Sequence, residues 1–275
     1  MSKITKVKAR QVFDSRGNPT IEAEVFVKNQ SAIAICPSGA STGTYEAFEK
    51  RDENNKRYLG KSVLNAISLV NSKISKKIKG QNIHNQERID ALMINLDGTR
   101  QKSKLGANSI LAVSMAVKKL SANLKKIPLY KNFLIKKNFQ LPYPLMNIIN
   151  GGAHANNGLD IQEFMIVPAG FDSFSESLRA GVEIFHNLKE LLNKNSHSTA
   201  VGDEGGFAPD LKSNEEALSF ISEAVSNAGY KLGSEVFFAL DVAATEIYNN
   251  KKYRIDKKDL NIEEISIYYQ KLIDK

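Results

Sequence analysis

The sequence predicts an α/β protein in two parts, a small α+β unit built on a β-meander and then strands alternating with helices. Three observations predict it. Residues 20–28, TIEAEVFVK, alternate apolar and polar side chains, the period of a strand with one buried face. Residues 62–126 then carry apolar side chains at three- and four-residue spacing, the period of helices. From residue 144 the rhythm changes again, to short and nearly continuous apolar runs at 144–150, 163–168 and 235–243 with helical stretches between the second and third.

Taken in order, DSRGNPT (14–20) is rich in turn formers and leads into the 20–28 strand. SAIAICP (31–37) is another short strand, stopped by Pro37. In the first helix, 62–79, Val63, Ile67, Val70, Ile74 and Ile78 form the apolar stripe and Gly80 ends it. The second helix covers 85–98. The third, 108–126, opens on Asn108 as a capping residue and is apolar on nearly all sides in its first half, so it is expected to be buried. Pro128, Pro142 and Pro144 mark the passage to the second part, with domains expected at 1–138 and 139–275.

In that second part the apolar runs fit strands buried on both faces, as in a parallel sheet covered by helices. Helices are expected at 174–194 and 214–228. The last segment, 261–275, is amphipathic, with Ile262, Ile265, Tyr269 and Leu272 on one stripe and Asn261 with Glu264 as a capping box. The alternation suits a barrel; no internal repeat is visible.

Composition narrows the partners. The formal charge is +8, from 38 Lys+Arg against 30 Asp+Glu. The lysines sit in scattered pairs beside apolar residues at helical spacing, which reads as solvated helix faces rather than a polyanion groove. Nucleic acid is therefore not the expected partner. No apolar run approaches the ~20 residues of a membrane-spanning helix, and MSKITKVKARQ has no signal-type apolar core. Cys36 is the single cysteine, so no internal disulfide can form, and a reducing cytoplasm is the expected location.

Polar residues cluster where the apolar runs end. GGAHANNG follows the first and carries His154; Gln162 and Glu163 open the second; Asp241 interrupts the third. VGDEGGFAP (201–209) sets Asp203 and Glu204 among three glycines, where backbone bends sharply or approaches another group closely. Each has a plain reading: His154 a turn residue, Gln162 and Glu163 strand-end polar groups, Asp241 a cap, VGDEGG a surface turn. CPSGASTGTYEAFE (36–49) reads either as a Ser/Gly turn or as a lid whose hydroxyls and backbone reach a metal or phosphate.

Their joint order is more specific than any one of them. DSRGNPT, PSGASTGTYEA, NIINGGAHANNGLDIQEFMIVP, VGDEGGFAP and FFALDVAATE, in that sequence, resemble the enolase family from residue 4 to the last residue. The resemblance implies a capping α+β domain followed by an incomplete enolase-type (β/α)8 barrel. It implies a hydro-lyase, phosphopyruvate hydratase, interconverting 2-phosphoglycerate and phosphoenolpyruvate in glycolysis and gluconeogenesis with two Mg²⁺ ions in a complete site. Glu204 then matches the proton-donating acid and Glu163 its partner carboxylate. His154, Gln162, Gly39 and Ala40 match substrate-contacting positions, Asp241 the first ligand of the tighter Mg²⁺, and Ser41 the lid residue that reaches the second. A homodimer is implied for the complete protein.

The chain departs from the family in length. The catalytic lysine base and two further carboxylate ligands are expected beyond Lys275, so this polypeptide alone is expected to have negligible activity. A different reading is a non-catalytic basic protein on an enolase-derived fold that binds RNA or an acidic partner.

Overall fold

The computed structural model describes residues 2–39, 42–53, 56–133, 139–202 and 204–275. The chain divides into two compact units, Met1–Asn138 and Phe139–Lys275.

The first unit is a meander of β1 (Lys6–Phe13), β2 (Pro19–Val27) and β3 (Gln30–Cys36), antiparallel in the order β1-β2-β3. β2 is central and buries Ile21, Ala23 and Val25 as its alternation requires. Its polar face is less open than the sequence suggests. Glu22 is also buried, because Arg10 stands directly across the β1–β2 ladder and its guanidinium pairs with the carboxylate.

The 62–79 helix forms as α1 (Leu64–Leu69), a π-helical turn (Val70–Ile74) and α2 (Ser75–Ile78). Its buried residues Ala66, Val70, Ile74 and Ile78 take three four-residue steps, each drifting about 40° round a 3.6-residue helix. The wider π turn takes up that drift. Next come α3 (Gln86–Asp97), α4 (Ala107–Lys125) and α5 (Leu129–Phe133). α4 packs on β2 and β3 and is buried through Val113, Ala116, Val117 and Leu120. Asn108 does not cap it. Gly106 (φ +91°) holds that position, and Asn108 is buried inside the first turn, accepting from Lys50 N and donating to Lys50 O at 3.1 Å each.

The second unit contains β4 (Met146–Asn150), β5 (Glu163–Val167), α6 (Phe174–Lys194), α7 (Asn214–Asn227) and β6 (Phe237–Asp241). Then follow α8 (Ala244–Ile247), a small meander of β7 (Tyr248–Asn249), β8 (Lys252–Ile255) and β9 (Lys258–Leu260), and α9 (Ile262–Asp274). α9 opens with the full capping box of Asn261 and Glu264. The core gathers Ile149, Phe164, Ile166, Ile184, Leu188 and Ile221 between the sheet and α6–α7.

The β4-β5-β6 sheet is antiparallel at both junctions, against the expectation of parallel strands. The connections explain it. β4 returns to β5 through a loop with only one short 3-10 turn, which works as a wide hairpin. Two helices, not one, join β5 to β6, and a second helix reverses the chain once more. β6 is also not buried on both faces. Phe237 is exposed, and a cavity of about 780 Å³ runs beside it, lined by Leu218, Phe238, Leu240, Tyr269 and Leu272. Among the described residues no helix is long and apolar enough to cross a membrane.

Candidate active site

The antiparallel register lines up three residues in a row across the sheet. Asn150, the last residue of β4, faces Glu163, the first of β5, and Glu163 faces Asp241, the last of β6. Had β5 run parallel to its neighbours, Glu163 would stand at the opposite end of a five-residue strand, about 13 Å away.

Two glycine-rich loops rise beside this row. The first, 151–162, folds back on itself: Gly151 N donates to Gln162 O at 3.0 Å and Gly152 N to Leu159 O at 2.8 Å. A Cβ on Gly151 would lie 2.4 Å from Ile161 O, so only glycine permits this approach. A short 3-10 turn, Gly152–His154, delivers the His154 ring into the interior, 5% exposed.

The second loop, 201–209, lies on the end of β4. Asn150 N donates to Phe207 O (2.8 Å), Phe207 N to Ile148 O (2.9 Å), and Gly202 N to Gly206 O (2.8 Å). Phe207 is buried and stacks on Phe185 at 4.3 Å, which anchors the loop. A Cβ on Gly202 would lie 2.6 Å from Asn150 Nδ2 and 2.7 Å from His154 O; on Gly206 it would lie 2.8 Å from Ile148 C. The glycines that attract attention in the sequence are thus the condition for bringing Glu204 to His154.

His154 sits between two carboxylates. Its Nδ1 is 3.5 Å from Glu163 Oε1, and its Nε2 is 3.7 Å from Glu204 Oε1. The Glu163 side chain is 14% exposed and that of Glu204 46%. Burial first, then hydrogen bonding and like charge from Glu204, then the charge of Asp241, push the Glu163 carboxyl up to about 7. A group poised there exchanges a proton at neutral pH. Two buried polar atoms of the 151–162 loop, His154 Nδ1 and Gln162 Oε1, have no hydrogen-bond partner among the described residues. The arrangement can hold a proton between two acids and offer polar contacts to a bound molecule.

The family model described as the N-terminal domain of enolase matches residues 4–133, and that of the enolase C-terminal TIM barrel domain matches 138–275. The chain belongs to the enolase family. Enolase of Pelagibacter ubique (strain HTCC1062) is 63% identical over 276 residues, which take in 100% of this chain and 66% of that relative. The chain therefore spans just under two thirds of the enolase it matches. Its fold is an enolase N-terminal domain followed by part of the enolase TIM barrel.

Of the residues singled out in the sequence, the structure gathers Glu204, Glu163, His154, Gln162 and Asp241 in one region of the second unit of this enolase chain. Gly39 belongs to the first unit, where Arg16 donates to its carbonyl at 2.8 Å. Ala40 and Ser41 lie outside the described residues. Two supporting residues escaped the sequence reading. Asn150 is fully buried and donates to Gly206 O at 2.6 Å, and Asn157 donates to both Asn150 O and Pro209 O at 2.9 Å. A polar residue closing the apolar run NIIN was the available signal for Asn150.

Among the described residues one cluster and one separate carboxylate come into question for a divalent cation. His154, Glu163 and Glu204 offer ligand atoms within 4.8 Å of one another, but one is a nitrogen, which suits Mg²⁺ poorly. Asp241 is exposed at the end of β6 and offers the hard carboxylate oxygen that Mg²⁺ prefers; its Oδ1 also accepts from Ala243 N at 2.9 Å. Asp241 therefore fits Mg²⁺ as one ligand of several.

Proposed function

We propose that the chain supplies the acid side of an enolase site, which carries out the Mg²⁺-dependent, reversible dehydration of 2-phosphoglycerate to phosphoenolpyruvate. The observation that carries this reading is the buried His154 flanked by Glu163 and Glu204, with the Glu163 carboxyl raised to about 7.

The chemistry asks for these groups. Hydroxide is a poor leaving group and has to be protonated as it departs. Glu204, on the tight Gly202–Gly205 turn, is the donor in this reading, because it is the more exposed acid of the pair. Glu163, held between protonation states near neutral pH, keeps a proton in the pair and returns it to Glu204. His154 and Gln162, both buried polar residues of the 151–162 loop, are the substrate-contacting residues in this reading. Asp241 would hold Mg²⁺, which when bound neutralises charge developing on the substrate carboxylate. Gly39, Ala40 and Ser41 are assigned by the same resemblance, Ser41 to a second Mg²⁺. The complete protein is proposed to be a cytoplasmic homodimer.

The test joins this chain to the remaining C-terminal part of the Pelagibacter relative and follows phosphoenolpyruvate by its ultraviolet absorbance. The chimera is expected to dehydrate 2-phosphoglycerate, and Glu204→Gln to lower kcat by at least ~100-fold, the usual contribution of a general acid. Unimpaired dehydration by Glu204→Gln overturns the assignment.

A further inference from the structure

The residues just before Glu163 are held by a polar network that the proposed chemistry does not use. Ile161 N donates to Asn214 Oδ1 at 3.3 Å, and Asp160 Oδ2 accepts from Asp256 N at 2.6 Å. Asn214 is fully buried at the first turn of α7. Its Nδ2 donates to Asp256 Oδ1 and to Tyr268 Oη, each at 3.1 Å. Tyr268 in turn donates to Asp256 Oδ2 at 2.7 Å. Burial and the hydrogen bond to Asp256 raise the Tyr268 hydroxyl, so it stays protonated as a donor. Every side-chain polar atom of Asn214 and Asp256 is thus engaged, the condition under which a buried network specifies geometry.

The network gathers distant parts of the second unit. Asp256 lies in the β8–β9 turn at φ +45°, followed by Lys257 at +62°. That two-residue turn usually recruits glycine for its left-handed positions. Here an aspartate takes the first of them and aims its carboxylate at Asn214 and its N–H at Asp160. On the opposite side, Gln162 O accepts from Gly151 N of the loop that carries His154. Residues 159–163 are therefore clamped from both sides. Asn214 also stands ten residues after Glu204 on the same chain, and between them Pro209 O accepts from Asn157 Nδ2, which donates to Asn150 O as well.

We propose that Asn214, Asp256 and Tyr268 are positioning residues for the Gln162–Glu163 pair, fixing the chain at Asp160–Ile161 so that Glu163 faces His154. The claim rests on the enolase reading only for its kinetic consequence. Its structural half is tested on the 275-residue chain by amide hydrogen exchange. Tyr268→Phe removes one hydroxyl without changing the ring, and is expected to lower the protection of the Ile161 and Asp256 amides at least ~10-fold while α6 amides keep theirs. Asn214→Asp, isosteric but facing the Asp256 carboxylate, is expected to act in the same direction and more strongly.

In the chimera, Tyr268→Phe is expected to lower kcat ~10-fold with KM for 2-phosphoglycerate unchanged within about twofold, since a misplaced acid acts on the transition state. Unchanged Ile161 protection in both variants overturns the proposal, as does a parental kcat in an active chimera. Lost protection in the 275-residue variants together with a parental chimera that has no dehydratase activity supports the clamp and refutes the enolase reading instead.

Discussion

Gly202→Ala separates the two things a glycine does in this loop. Gly202 lacks a positive φ, so alanine meets no backbone strain there; what it meets is Asn150 Nδ2 at 2.6 Å and His154 O at 2.7 Å. Ordinary contact begins near 3.4 Å, so the loop has to lift by about 0.8 Å. Over-packing of this kind costs ~1–3 kcal/mol, which lowers the thermal midpoint by about 3–10 °C in a domain of this size. The same shift carries Glu204 away from His154, and a misplacement approaching 1 Å costs up to ~100-fold in rate. Gly229→Ala is the control. Gly229 follows α7 at φ +83° with nothing within 4 Å of its Cβ, so alanine there pays ~1–2 kcal/mol of left-handed strain without touching the site. Thermal unfolding of both variants and dehydration kinetics of both chimeras complete the comparison. Both are expected to lose stability, and only Gly202→Ala to lose kcat, by ~10–100-fold. Parental kcat in Gly202→Ala refutes the claim that contact with Asn150 and His154 sets the acid.

Two further outcomes are expected. Asp97, the last residue of α3, is fully buried; burial works against its charge, but hydrogen bonds from the Thr99 hydroxyl and from Leu105 N (2.7 Å) and Thr99 N (3.0 Å) outweigh it and hold the carboxyl below its usual range. Its folded value lies below the unfolded one, so its stabilisation is complete above the ordinary carboxylate range and is lost as pH falls through the folded value. Urea unfolding between pH 7 and pH 3 is expected to show this loss, and Asp97→Asn to remove it while costing ~1–3 kcal/mol at pH 7. The 275-residue chain assayed alone is expected to turn over more than about a thousandfold slower than the chimera, because Asp241 is the one Mg²⁺ carboxylate assigned in it and no lysine in it matches the proposed base.

Helices were the most legible part of the sequence, because a 3.6-residue stripe is a local signal. α6 spans Phe174–Lys194 as its periodicity requires, and the Asn261–Glu264 capping box is present. What depended on tertiary contact was not legible. Asn108 has a capping residue's chemistry but is spent on both backbone groups of Lys50, fifty-eight positions away. Glu22 reads as a solvent-facing residue until Arg10 is placed across the ladder. Glu204, Glu163, His154, Gln162 and Asp241 were legible as candidates through motif order alone. Asn214, Asp256 and Tyr268 were not, since each alone looks like a cap, a turn residue and a half-buried aromatic.

Strand direction is where local reading and site geometry part most sharply. An apolar run such as EFMIV carries no sign of direction, and continuous apolar character favours a parallel sheet. A parallel β5 would keep every hydrophobic contact plausible and still destroy the site, because Glu163 would leave the row it shares with Asn150 and Asp241. Direction is set instead by the connections: a loop without a crossover helix before β5, and two helices after it. Those connections also carry the other groups, His154 in the first and Glu204 between α6 and α7. Removing either α6 or α7 would therefore change more than the packing of the sheet. It would turn β6 end for end, carry Asp241 about 13 Å from Glu163, and remove the charge that helps hold the Glu163 carboxyl up.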